Sequence, residues 1–367
     1  MYVATWGNPL EWGLAEYSCC SNILKKGFAS IVCVDDADKY VIYVLDSVIT
    51  ARASSARGVL QEALECARQC GLCVRKSGDG TVTIEPDCYL NELDAWRDVA
   101  KCYVKCLVEQ ALNKTSREVS SESIDVAVSA AIGKLGWTYE SSFPDLIASE
   151  LFRYLWSSIS KAVEDSVEKL EIDLDVTHGV NFMPTLSYQI VRYLATLLLI
   201  EKRNLNNVVI KVYNAVPVGT QQSAAGVRIF QYVEVFHESL NYIQIPHNIG
   251  GEVARAIELG AIPVIYEACR SGKSESEVDL RVEASIYYDN KTVTYRHSGS
   301  ANFKQHISLA IKKAACLTAT SRLKELMSHH LTEKLAPPAR ELLYGELEQL
   351  AHGLGRHVLP PNTWNLL

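Results

Sequence analysis

The stretch from Leu170 to Pro217, LEIDLDVTHGVNFMPTLSYQIVRYLATLLLIEKRNLNNVVIKVYNAVP, decides the fold. Its opening LEIDLD alternates apolar and acidic residues, the period of a strand with one buried face. PTLSYQIVRYLATLLLI is apolar and begins with a proline, which suits the first turn of a helix. NVVIKVYNAV is rich in β-branched residues and reads as a second strand. Strand, helix and strand in succession predict parallel strands joined by a crossover helix. Between the first strand and the helix stand Asp175, Thr177, His178, Gly179 and Asn181. That places polar groups just outside a strand's carboxyl end, where open parallel sheets bind ligands. Free amides at the helix start favour a phosphate or other anion there. The plain alternative is an N-cap and Asx-turn that only holds the loop together.

Working outward, MYVATWGNPLEW reads as a short strand, Tyr2–Thr5, ending in a Gly-Asn-Pro turn. KYVIYVLDSV is a near-continuous apolar run, as expected of a strand buried on both faces. Ala53–Cys70 has helical periodicity, and TVTIEP is a further short strand. Leu93, Trp96, Val99, Ala100, Tyr103, Val104 and Leu107 make Leu93–Asn113 an amphipathic helix. Ser120–Ser123 carries N-cap signals for a second helix, and Pro144–Leu170 reads as a third, long one. Alternating strands and helices predict an α/β fold with a doubly wound, mostly parallel sheet over residues 1–240. Trp6, Gly7 and Asn8 then give the sheet a second polar strand end, and Tyr213 and Asn214 a third. Residues 241–367 read as a smaller, mainly helical domain carrying a β-hairpin around Asp289-Asn290-Lys291.

A chain of 367 residues exceeds what one core usually organises, in keeping with two domains. The net charge of −7 argues against wholesale coating of nucleic acid. Residues 245–367, with 14 Lys and Arg against 13 Asp and Glu, are near neutral and permit a local basic groove. No apolar run is long enough to span a bilayer, so a cytoplasmic protein without membrane contact is expected. The 11 cysteines read first as small buried hydrophobes. Intracellular disulfides of the hyperthermophile kind and a metal site are the alternatives. Cys70–Cys73 is the one CxxC pair and lacks a second pair at finger spacing, so no metal is expected.

LDVTHGVNFMP resembles the signature of the CRISPR-associated DxTHG family. ATWGNPLEW with Tyr17 is similar to that family's N-terminal motif, and VYNAVP to a later strand-end segment. The resemblance covers residues 1 to about 220. It implies a CARF domain, a Rossmann-like dimeric sensor of the cyclic oligoadenylate made by type III CRISPR complexes. The ligand, commonly cyclic tetra-adenylate, would lie across the two-fold of a homodimer and act as allosteric activator, with no cofactor required. On that resemblance Trp6, Gly7 and Asn8 form one binding loop and Thr177, His178, Gly179 and Asn181 the other.

Members of the family often carry a C-terminal HEPN domain, a metal-independent nuclease of single-stranded RNA with an arginine a few residues before a histidine. The arginine would stabilise charge on the phosphate, and the histidine would act in general acid–base transfer. LEQLAHGLGRHV resembles that segment around Ala351 and His352, yet Leu347 stands where the arginine is expected. Arg322 and His329 satisfy the spacing, which is nonspecific; a solvated helix face carrying Arg, Lys and His is the plain reading of the same residues. Arg340, Arg356 and His357 could supply the charge by folding close. The alternative is a sensor with an inactive C-terminal domain, or a nuclease of the cyclic ligand itself helped by Lys211 or His178.

Overall fold

A computed structural model describes residues 1–331 except 20–22, 35, 54–59, 87–89, 114–118, 144, 165, 180–181, 203, 223–226 and 299–302. Of 242–280 it describes Ile265 and Cys269, and it does not extend to the side chains of 135, 219–222, 306 and 322–331. In chain order the elements are β1 (Tyr2–Trp6), β2 (Ala15–Ser18), β3 (Leu24–Gly27), β4 (Tyr40–Leu45), β5 (Arg52–Ala53), α1 (Gln61–Gln69), β6 (Leu72–Lys76) and β7 (Val82–Pro86). Next come α2 (Leu93–Asn113), β8 (Ile124–Ser129), β9 (Gly133–Leu135), β10 (Trp137–Ser141), α3 (Leu146–Ala162), β11 (Lys169–His178) and α4 (Phe182–Glu201). The remainder are β12 (Asn207–Gln222), β13 (Arg228–Leu240), β14 (Arg281–Tyr287), β15 (Thr292–Ser298) and α5 (Phe303–Leu331).

The main sheet has eight strands in the order β3-β2-β13-β12-β11-β1-β4-β8. From β12 to β8 every pair is parallel. β13 runs antiparallel to β12, and β3 antiparallel to β2. A mostly parallel α/β sheet is therefore present, with an antiparallel edge. β4, YVIYVL, is buried at every residue, which is why its sequence lacks alternation. Helices α3 and α4 pack on the sheet and on each other, and α5 packs on both.

Three expected elements differ. Ser120 does cap, its Oγ accepting from the Glu122 amide, but it caps a single 3₁₀ turn. The next residues, IDVAVS, form β8 in parallel register with β4, so sheet pairing overrides the helix signal. The helix expected over Ala53–Cys70 is confined to Gln61–Gln69, with Ala53 in β5. The helix expected over Pro144–Leu170 stops at Ala162, because Lys169 already starts β11.

The expected hairpin is β14–β15, and β15 adds to β10 in parallel, giving the order β14-β15-β10-β9. Hydrogen bonds thus cross the expected boundary near residue 240. Tyr295 on β15 donates to both oxygens of Asp46, at 2.7 and 2.8 Å. Asp46 and Glu150 share the buried Arg97 guanidinium, at 3.9 and 2.9 Å.

The cysteines are not buried thiols in the main. Disulfides join Cys19–Cys33, Cys66–Cys106, Cys70–Cys102 and Cys269–Cys316. Two of the bridges link α1 to α2 one turn apart, which accounts for the helical cysteine spacing. No helix among the described residues is long and apolar enough to cross a membrane.

Candidate functional site

The carboxyl ends of β1, β4, β11 and β12 lie side by side, and the motif residues gather there. A shift of register between Ala4 and Trp6 sets Trp6 opposite His178, and the Gly7 amide donates to the His178 carbonyl at 2.6 Å. Gly179 must be glycine for close approach: a β-carbon there would meet Thr5 Oγ1 at 2.2 Å and Pro184 Cδ at 3.1 Å.

Asp175 is buried and its carboxylate is turned inward. Oδ2 accepts from the Tyr2 hydroxyl at 2.8 Å and from Ser30 Oγ at 2.6 Å, while Oδ1 accepts from the Thr177 amide at 2.8 Å. Thr177 Oγ1 accepts from the Ala215 amide at 2.9 Å, tying β11 to β12 above their last ladder pair. Asn8 is a cap: Oδ1 accepts from the Leu10 amide at 3.1 Å and Nδ2 donates to the Arg52 carbonyl at 3.0 Å. These three polar side chains spend their hydrogen bonds on the scaffold, as the N-cap and Asx-turn alternative requires.

The aromatic groups face one another. Trp12 lies between Trp6, edge-on at 5.0 Å, and the His178 ring, tilted at 4.5 Å. His178 Nε2 accepts from the Ser30 amide at 3.2 Å. Burial pushes the imidazole down to about 4, against the pull of Asp175 in the other direction. Beside it, Tyr213 stacks flat on Tyr232 at 5.0 Å, and Asn214 stands half-buried opposite Val233. A small cleft of about 90 Å³ opens between β1 and β4, lined by Trp6, Gly7, Asn8, Leu45, Ser47 and Val48. The strand ends thus present planar rings, backbone amides and a neutral imidazole, with the motif's carboxylate hidden. That is chemistry for stacking a base and approaching a phosphate.

Lys211 is held lower on the sheet, paired with Glu171. Asn181 lies outside the described residues, as do His352, Leu347, Arg340, Arg356 and His357. Arg322 and His329 fall on α5, but their side chains also lie outside the described residues. A larger cleft of about 520 Å³, between the start of α2, α3 and β14, mixes Arg97, Arg153 and Arg281 with Glu92, Asp94 and Glu283, and contains none of the motif residues. No group of three or more metal-ligating side chains occurs among the described residues. Sequence reasoning misses Ser30 and Tyr2: the first sits in GFASIVC, which carries no motif, and the second reads simply as a core residue.

Comparison with curated proteins returned no match. A family model described as CRISPR system endoribonuclease Csx1, CARF domain, matches residues 1–217, the span from β1 into β12 that builds these strand ends. The chain belongs to the Csx1 CARF-domain family and is a type III CRISPR accessory protein with a cyclic-oligoadenylate-sensing role.

Proposed function

We propose that this protein is a homodimeric sensor of cyclic tetra-adenylate whose C-terminal part, a HEPN-type domain in a member of the DxTHG group, cuts single-stranded RNA without a metal when the ligand is bound. The observation that carries the reading is the gathering of Trp6, Trp12, His178 and Tyr213 at adjoining strand ends, with the Asp175 carboxylate turned away from them. A ligand that repeats the same nucleotide around a ring suits an isologous dimer, in which each copy offers the same strand ends. Ligand binding would then shift the dimer between two arrangements of the nuclease pair, for which Arg322 and His329, with His352, are the candidates.

A second reading, a sensor whose own C-terminal part cuts no RNA, rests on Leu347 standing in place of the arginine. One assay separates them: the full chain is incubated with cyclic tetra-adenylate and labelled single-stranded RNA, and both are followed. RNA cut only with ligand present supports the switched nuclease, and Arg322→Ala and His329→Ala then test its residues. Ligand bound with RNA intact supports the second reading. Ligand linearised instead makes the protein a ring nuclease, and no binding of ligand refutes both sensor readings.

A further inference from the structure

We propose that Ser30 is a positioning residue that holds His178 as a neutral ring protonated on Nδ1, so that His178 meets the ligand only as a hydrogen-bond donor. The proposal rests on the sensor reading above and names the chemistry of one of its contacts. A backbone amide can only donate, so the 3.2 Å contact from the Ser30 amide requires a lone pair on His178 Nε2. With Nε2 an acceptor, the proton of the neutral ring resides on Nδ1. Trp12 covers one face of the ring, and burial disfavours the charged form. Asp175, on the same strand, is the charged group that acts on the imidazole; it is itself engaged by Tyr2, by Ser30 Oγ and by the Thr177 amide.

Ser30 is fully buried at the start of a 3₁₀ turn, Ser30–Cys33. The Cys19–Cys33 disulfide fastens that turn to the β2–β3 hairpin. One residue therefore sets both partners in the motif, its amide on His178 and its hydroxyl on Asp175. The functional consequence is directional. His178 matches an acceptor on the ligand, a phosphate oxygen or a ring nitrogen of the base. It cannot take a proton from a ribose hydroxyl, because Nδ1 already carries one and Nε2 is occupied. That excludes it as the general base of a ring-opening reaction.

Two variants separate the contacts. Ser30→Pro deletes the amide donor together with the hydroxyl, at a position where proline suits a helical first turn and Ala29 before it is already extended, so the amide's effect is its difference from Ser30→Ala. Ser30→Ala deletes the hydroxyl and keeps the amide. Nitrogen NMR of the histidine rings in the wild-type chain is expected to show His178 Nδ1 protonated and Nε2 bare, unchanged down to about pH 5. Ser30→Ala keeps that signature. Ser30→Pro loses it, showing protonation on either ring nitrogen, and binds cyclic tetra-adenylate about tenfold more weakly than Ser30→Ala, as expected for one misplaced hydrogen bond.

A protonated Nε2 in the wild-type protein overturns the proposal without any variant. Equal affinity of Ser30→Pro and Ser30→Ala for cyclic tetra-adenylate, with both folded, overturns the positioning role. A wild-type chain that binds no cyclic tetra-adenylate overturns the sensor reading instead, and with it the ligand contact, while the nitrogen spectra still decide the tautomer.

Discussion

Removing the paired bridges between α1 and α2 tests how this chain is held together. Cys66–Cys106 spans 40 residues and Cys70–Cys102 spans 32, and the second lies inside the first. By the chain-entropy account, closing either loop alone restricts the denatured chain by about 4 kcal/mol. Once one bridge is in place, the other closes a ring of only about eight residues and contributes about 2.5 kcal/mol. The losses are therefore coupled: Cys66→Ala/Cys106→Ala or Cys70→Ala/Cys102→Ala alone costs about 2.5 kcal/mol, while the fourfold variant costs about 6.5 kcal/mol. Equilibrium unfolding of the three variants in guanidinium, beside the wild type, measures the coupling. Losses that simply add, or a pair whose removal costs nothing, would refute the view that the bridges act on the denatured chain.

The core and the motif loop give two further expected outcomes. Gly179→Ala forces a β-carbon onto the buried Thr5 and is expected to cost about 1–3 kcal/mol, read as a lowered unfolding midpoint. Adding Thr5→Ala should recover part of the loss, because Thr5 Oγ1 has no hydrogen-bond partner among the described residues to forfeit; a Gly179→Ala protein as stable as wild type sinks the argument. Tyr295→Phe removes the hydroxyl that donates to the buried Asp46 carboxylate, leaving the Ala131 amide on Oδ1, and is expected to cost about 2–3 kcal/mol near neutral pH. Burial pushes Asp46 up to about 7 despite Arg97 and the Tyr295 hydroxyl, which pull it down. The folded state therefore binds the proton more tightly than the unfolded one, and this group's contribution to stability falls as pH rises from about 4 through 7. Without Tyr295 the Asp46 carboxyl keeps its proton to higher pH, so the fall continues further and the deficit of Tyr295→Phe should widen above about pH 7; a deficit independent of pH would show that Asp46 is not the group affected.

The parts of the fold that can be read from sequence are those where local pattern and tertiary burial agree. The β11–α4–β12 unit, the fully apolar β4 and the amphipathic α2 show in the sequence because each buries what its period says it buries. β8 is hidden by a true signal, since Ser120 does cap, yet the IDVAVS segment after it is claimed by pairing with β4. β13 is hidden for the opposite reason. RIFQYVEVFHESL lies at the antiparallel side of the sheet with few buried residues, so neither alternation nor an apolar run marks it. Cysteine spacing shows which residues share a helix face, but pairing them requires knowing that α1 packs on α2, which is a long-range fact.

The site is legible as a set of residue types and not as a set of directions. Asp175, Thr177 and Asn8 stand where a ligand-binding reading puts them, yet all three turn their hydrogen-bonding groups into the protein. A strand end needs such groups before it can bind anything, because a loop made of glycine and backbone amides has no shape until something fixes it. Inward polar bonds on neighbouring strands supply that shape. They also remove a negative charge from the face that a phosphate must approach. The groups left to meet a ligand are the half-buried rings an acidic motif conceals, Trp12, Tyr213 and the His178 imidazole, with the buried Trp6 and Tyr232 packed behind them. A motif thus records which residues a place requires, while the division between those that hold the place and those that meet the ligand is written in the hydrogen bonds.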